Sequence, residues 1–184
     1  MHETIGMKKL ILAFALASLM VQVSSAKMTR LKHAHHHGSA KLGLAFDDKM
    51  GRLDFKVSAD SILGFENVPK NERQRNIQLS QFALLENKIS EMVVMAPELA
   101  CTFTKDKIQR ESDPVADKKH KAEHSDVVAV FNIACNKSPL GTKIIFNFQK
   151  FFPKLHDIDA AIVAGDLQKS IEIKKSGTTL DLAK

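Results

Sequence analysis

Ala40-Lys41-Leu42-Gly43-Leu44-Ala45-Phe46 and, after a turn, Leu53-Asp54-Phe55-Lys56-Val57 carry the local pattern that decides the fold. Leu42, Leu44 and Phe46 stand at every second position, and so do Leu53, Phe55 and Val57. Successive side chains of a strand point to opposite faces, so a period of two gathers these six on one face and leaves Lys41, Asp54 and Lys56 for water. Asp47-Asp48-Lys49-Met50-Gly51 between the runs has turn chemistry, and residues 39–59 read as a β-hairpin. Ser61 to Pro69 reads as a loop, with Gly64-Phe65-Glu66 a turn over the core rather than a functional loop.

The period changes outward of the hairpin. From Asn71 to Ala96, Ile77, Phe82, Leu85, Ile89, Met92, Val93 and Ala96 recur at three- and four-residue steps. Glu72, Arg73, Arg75, Gln78, Glu86 and Lys88 fall on the other face. That is an amphipathic helix ended by Pro97, and its Met and Phe residues are core stripe. Strand-like runs follow near 99–104, 126–135, 143–149, 158–164, 170–174 and 178–182. Between the first two, Lys105–His124 holds 11 charged residues in 20 and a proline, and reads as a solvated, mobile loop. The expected fold is α+β: an antiparallel sheet of six or seven strands with one long packed helix.

The 184 residues, 44% hydrophobic and 26% charged, suit one globular domain. There is no Trp and no Tyr, so phenol chemistry and an indole stacking platform are excluded. A net charge of +6 favours anions without specifying one. Lys8-Lys9, the apolar run Leu10–Val21 and the small residues Ser24 and Ala26 read as a secretory signal peptide over residues 1–26, leaving a single exported domain at 27–184. The apolar run is shorter than the roughly 20 residues that span a bilayer, so no stable membrane insertion is expected. In an oxidising compartment Cys101 and Cys135 are expected to form a structural disulfide. No Gly-rich phosphate loop, nucleophile elbow or His-Glu-x-x-His motif is present. The chain also lacks a nucleic-acid motif, and neither catalysis nor nucleic-acid binding is expected.

Histidine is where chemistry concentrates. His33, His35, His36 and His37 lie within five positions, His120 and His124 close the charged loop, and His156 reads as a surface loop residue. Imidazole is the commonest nitrogen ligand of zinc and other late divalent metals. In extended backbone His33, His35 and His37 project to one side, and a tetrahedral ion then needs one more ligand. His124, at the start of a strand, is the outside candidate, with Asp126 or Glu123 to supply an oxygen or orient an imidazole. The spacing is equally that of a solvated tail holding metal weakly.

His35-His36-His37-Gly38-Ser39-Ala40-Lys41-Leu42 resembles the His-x-His-Gly-x-Ala-x-Leu opening of the zinc-regulated, ZrgA-like periplasmic proteins, a domain of unknown function. Three further blocks resemble the same family in the same order. They are Leu63–Pro69 with Glu72 and Gln74-Arg75, His124-Ser125-Asp126 leading to Cys135, and Phe151-Phe152-Pro153-Lys154-Leu155. The resemblance implies a non-enzymatic periplasmic protein of Gram-negative bacteria that binds zinc and works beside a zinc-specific ABC importer. It implies His35, His37 and His124 as ligands; the fourth is expected to be His120, water, or His33, which has no clear counterpart in the family. Many members carry a long His- and Asp-rich insertion where this chain has Lys105–His124, which here is mostly Lys, Asp and Glu. Two functions are therefore expected to compete: capture of zinc for uptake by the importer, and an envelope interaction or structural module whose His cluster is incidental.

Overall fold

In the computed structural model, which describes residues 38–112 and 124–183, the period-two runs form the hairpin. Strand β1 (Ser39–Asp47) pairs antiparallel with β2 (Met50–Ser58), with Leu42 opposite Phe55 and Leu44 opposite Leu53. The register sets Leu42, Leu44, Phe46, Leu53, Phe55 and Val57 on one face, and all of these but Phe46 are at most 2% exposed, while Ala45 and Met50 lie exposed on the other. Asp48 makes the tight turn at φ 49°, in the left-handed region that Asp tolerates better than most residues. Gly51 faces Phe46 across the pair and has no side chain because the Phe46 ring lies over it.

The expected loop after the hairpin begins as a short helix, α1 (Ala59–Leu63), closed by Gly64 at φ 79°. Its length is one turn, too short for a periodic pattern. Helix α2 (Glu72–Met92) is the long helix; Asn71 caps it by accepting the Gln74 N–H at 2.9 Å, and Leu85, Ile89 and Met92 are its buried stripe. It stops four residues earlier than its periodicity suggests. Val93–Val94 is strand β3, because β-branched residues lose little in extended backbone and find Phe146 and Ile145 to pair with.

The charged stretch requires a larger correction. Residues 105–112 are not loop but the continuation of strand β4 (Thr102–Ser112), which pairs along its whole length with β5 (Ser125–Ala134), from Thr102 opposite Ala134 to Ser112 opposite Ser125. β4 is an edge strand, where charged side chains keep their water while the backbone completes the ladder. A bulge at Asp106 shifts the register, and the charges find partners: Lys105 with Glu86 at 2.6 Å, Asp106 with Arg52 at 3.5 Å, Lys107 with Glu111 at 3.2 Å. The remainder of that expected loop, 113–123, lies outside the described residues, as do the expected signal peptide and His33, His35, His37 and His120.

The remaining strands are β6 (Lys143–Phe146), β7 (Asp157–Ala164), β8 (Leu167–Ile173) and β9 (Thr178–Asp181), with a one-turn helix α3 (Phe148–Phe151) between β6 and β7. The class is α+β, but the strands divide into two sheets. One has six strands in the order β4-β5-β2-β1-β7-β8 and the other three in the order β3-β6-β9. The β1–β7 pair is parallel, the exception in an otherwise antiparallel arrangement. The core face of the six-stranded sheet joins the stripe of α2 and the Phe146 and Phe148 side chains in one cluster, with the Phe55 and Phe148 rings stacked at 4.7 Å. Cys101 and Cys135 form the expected disulfide just beyond the Thr102–Ala134 pair.

Candidate functional site

Strand direction brings the start of β1, the end of β2, the start of β5 and the end of β4 to one end of the sheet. His124 stands there, immediately before β5, with its side chain 42% exposed. Its Nδ1 faces Glu66 Oε2 at 3.8 Å. Glu66 belongs to the segment between α1 and α2, and its side chain is 19% exposed. Both of its carboxylate oxygens are held, Oε1 by the Ser58 hydroxyl at 3.0 Å and Oε2 by the Ser125 backbone N–H at 3.0 Å. Its carbonyl accepts from the Ser125 hydroxyl at 2.6 Å and from Arg110. Arg110 in turn donates to Ser125 Oγ at 2.6 Å and lies over the Phe65 ring at 5.6 Å. Three separate stretches of chain thus converge on one glutamate.

Glu66 is the residue that sequence reasoning missed. Its 58-residue separation from His124 leaves no spacing signal, and the Gly64-Phe65-Glu66 turn looks like packing from its composition. The one available pointer was its place in the Leu63–Pro69 block. Asp126, expected to help an imidazole, is buried and pairs with Lys56 Nζ at 2.9 Å.

The N-terminal histidines lie outside the described residues, but the point where the chain enters the sheet after them is well fixed. Gly38 donates its N–H to Ser61 Oγ at 2.9 Å, and its carbonyl accepts from the N–H groups of His156 at 2.7 Å and Asp157 at 3.1 Å. Its φ is +86°, and a Cβ there would come within 2.7 Å of His156 Cδ2, so glycine is required on both counts. His156 is exposed, as expected, and is part of this anchor. Asp157 beside it holds its proton above the usual carboxylate range, first because of burial and then because Glu172 and Asp159 are near. β1 is two strands from β5, so Gly38 and His124 are separated by roughly 10 Å at the sheet's ~4.8 Å strand spacing.

Among the described residues no group of three or more His, Cys, Asp or Glu side chains is placed to hold a metal ion. What they supply is one imidazole with a carboxylate behind it, a chemistry suited to zinc but short of a full coordination shell. Among the described residues no helix is long and apolar enough to cross a membrane.

A family model described as ZrgA family zinc uptake protein matches residues 34–182, most of the chain. No curated protein matches it.

Proposed function

The chain belongs to the ZrgA family of zinc uptake proteins, and from that membership we propose that it is a non-catalytic periplasmic protein that captures zinc reversibly and passes it to an ABC importer. His35, His37 and His124 are the primary ligands, and His33, His120 or water completes the tetrahedron. The observation that supports this reading is the placement of Gly38 and His124 at the same end of the sheet, two strands apart. The first described residue after the His cluster and the outside candidate thus share one end of the sheet. Zinc is cargo here, so the site must release it. Imidazole ligation without thiolate allows that, because protons compete for the same nitrogens and affinity falls as pH drops below about 6.5.

Calorimetric zinc titration at pH 7.5 tests the assignment, with the untagged exported chain beside its His35→Ala/His37→Ala/His124→Ala variant. One saturable submicromolar site lost in the variant is the expected result. Weak binding of several ions that survives the substitutions would refute it and leave the interaction module as the better reading. Transfer of zinc from the loaded chain to the importer's periplasmic component tests the handover.

A further inference from the structure

We propose that Glu66 is a positioning residue that fixes the His124 imidazole with its Nδ1–H toward the carboxylate, so that Nε2 is the nitrogen offered to the metal ion. The inference rests on the zinc-binding reading for its purpose but on described geometry for its content. Nδ1 faces Glu66 Oε2 at 3.8 Å and is buried, while 42% of the side chain is exposed. The exposed edge of the ring is therefore the edge away from Glu66. A neutral imidazole carries one N–H, and a carboxylate on the Nδ1 side stabilises the tautomer with the proton there, leaving the Nε2 lone pair as the donor.

Glu66 is built to stay where it is. Ser58 and the Ser125 N–H hold its two carboxylate oxygens, and Arg110 and the Ser125 hydroxyl hold its carbonyl. A carboxylate fixed at this many points selects one ring orientation instead of following whichever one the ring adopts. Direct coordination by Glu66 is the less favourable alternative. A cation between Nδ1 and Oε2 would occupy a buried position next to Ser125, whose hydroxyl already takes the Arg110 guanidinium at 2.6 Å, and the two positive charges would repel. On the Nε2 side the cation keeps clear of Arg110. Its charge also makes Nδ1–H a stronger donor, which draws the 3.8 Å separation toward an ordinary hydrogen bond of about 2.7–2.9 Å.

Long-range proton–nitrogen NMR of the ¹⁵N-labelled full chain reads the tautomer directly. In the wild type His124 is expected to carry its proton on Nδ1 without zinc at pH 8, and to bind zinc through Nε2. In Glu66→Gln the zinc-free tautomer preference weakens and zinc affinity falls by about 10- to 100-fold. Ser58→Ala removes one anchor of Glu66 but leaves Oε2 facing the ring, so it keeps the Nδ1–H tautomer and loses less affinity. A purely structural role for Glu66 would instead make the two variants fall together. Zinc bound through Nδ1, or a Glu66→Gln chain with wild-type tautomer and affinity, would overturn the proposal. If Glu66→Gln does not fold, the wild-type tautomer with and without zinc decides alone. If zinc leaves the His124 resonances unmoved, the ligand assignment fails, while the zinc-free comparison still judges Glu66.

Discussion

The disulfide offers the sharpest quantitative test. Cys101 and Cys135 are 34 residues apart in sequence and tie the edge strand β4 to β5 at one end of their ladder. In the chain-entropy model the bridge removes freedom from the unfolded chain as the logarithm of the loop length. For this loop that amounts to about 4 kcal/mol at 25 °C. Replacing both cysteines by Ala adds no hydroxyl at the buried Cys135 and leaves the packing otherwise intact. With a urea slope of about 2 kcal/mol per molar for a domain of this size, the unfolding midpoint should fall by about 2 M. Reduction of the wild type should give the same midpoint as the double variant. The bridge lies at the opposite end of the ladder from Arg110 and Ser125. Zinc affinity of the folded variant is therefore expected to stay within twofold of wild type. A midpoint shift under about 0.5 M with an unchanged slope would refute the loop argument, since it would mean that the unbridged chain already holds these strand ends together.

Two further outcomes follow from particular contacts. Gly51→Ala places a Cβ at 2.5 Å from Phe46 Cδ1 and 3.0 Å from the Ala45 carbonyl, under a ring that is 5% exposed. It should cost about 1–3 kcal/mol, where Ala normally improves on Gly in a strand; a gain in urea midpoint would contradict the contact. Asp157 has a raised folded pKa, chiefly from burial, so its ionised form costs stability at neutral pH, and the cost is relieved as pH falls through that pKa toward the unfolded value near 3.8. Asp157→Asn should therefore stabilise the chain at pH 7, with the difference vanishing by about pH 3.5 in urea titrations across that range. Glu172 has the opposite sign, because its hydrogen bond to Lys174 lowers its pKa. Glu172→Gln should lose stability above about pH 4.5 and match the wild type in acid.

The hairpin was legible from the residues alone because alternation of Leu42, Leu44, Leu53 and Phe55 is a local consequence of burying one face of a strand. The long helix was legible for the same reason at a period of 3.6. With two cysteines in the chain and an oxidising compartment expected, their pairing was a matter of arithmetic. The His35–His37 cluster was visible as composition, and four ordered blocks pointed to the family. Less legible were features whose energy comes from distant partners. Charged residues 105–112 have no strand pattern of their own; they are a strand because β5 offers a ladder and an edge strand leaves their side chains in water. Val93 continues the helical stripe in sequence, yet it and Val94 leave the helix because Phe146 and Ile145 pair with them.

Sequence by itself thus determined the class of the fold, the hairpin and the disulfide, since each of these is written in local periodicity or in composition. Tertiary structure alone decided that β1 lies parallel to β7, that the strands divide into two sheets, and that Glu66 stands behind His124. The physical reason is the same in each case. A pairing between segments tens of residues apart is selected by what else in the folded chain is available to cover a face, complete a ladder or hold a charge, and no local pattern encodes that choice.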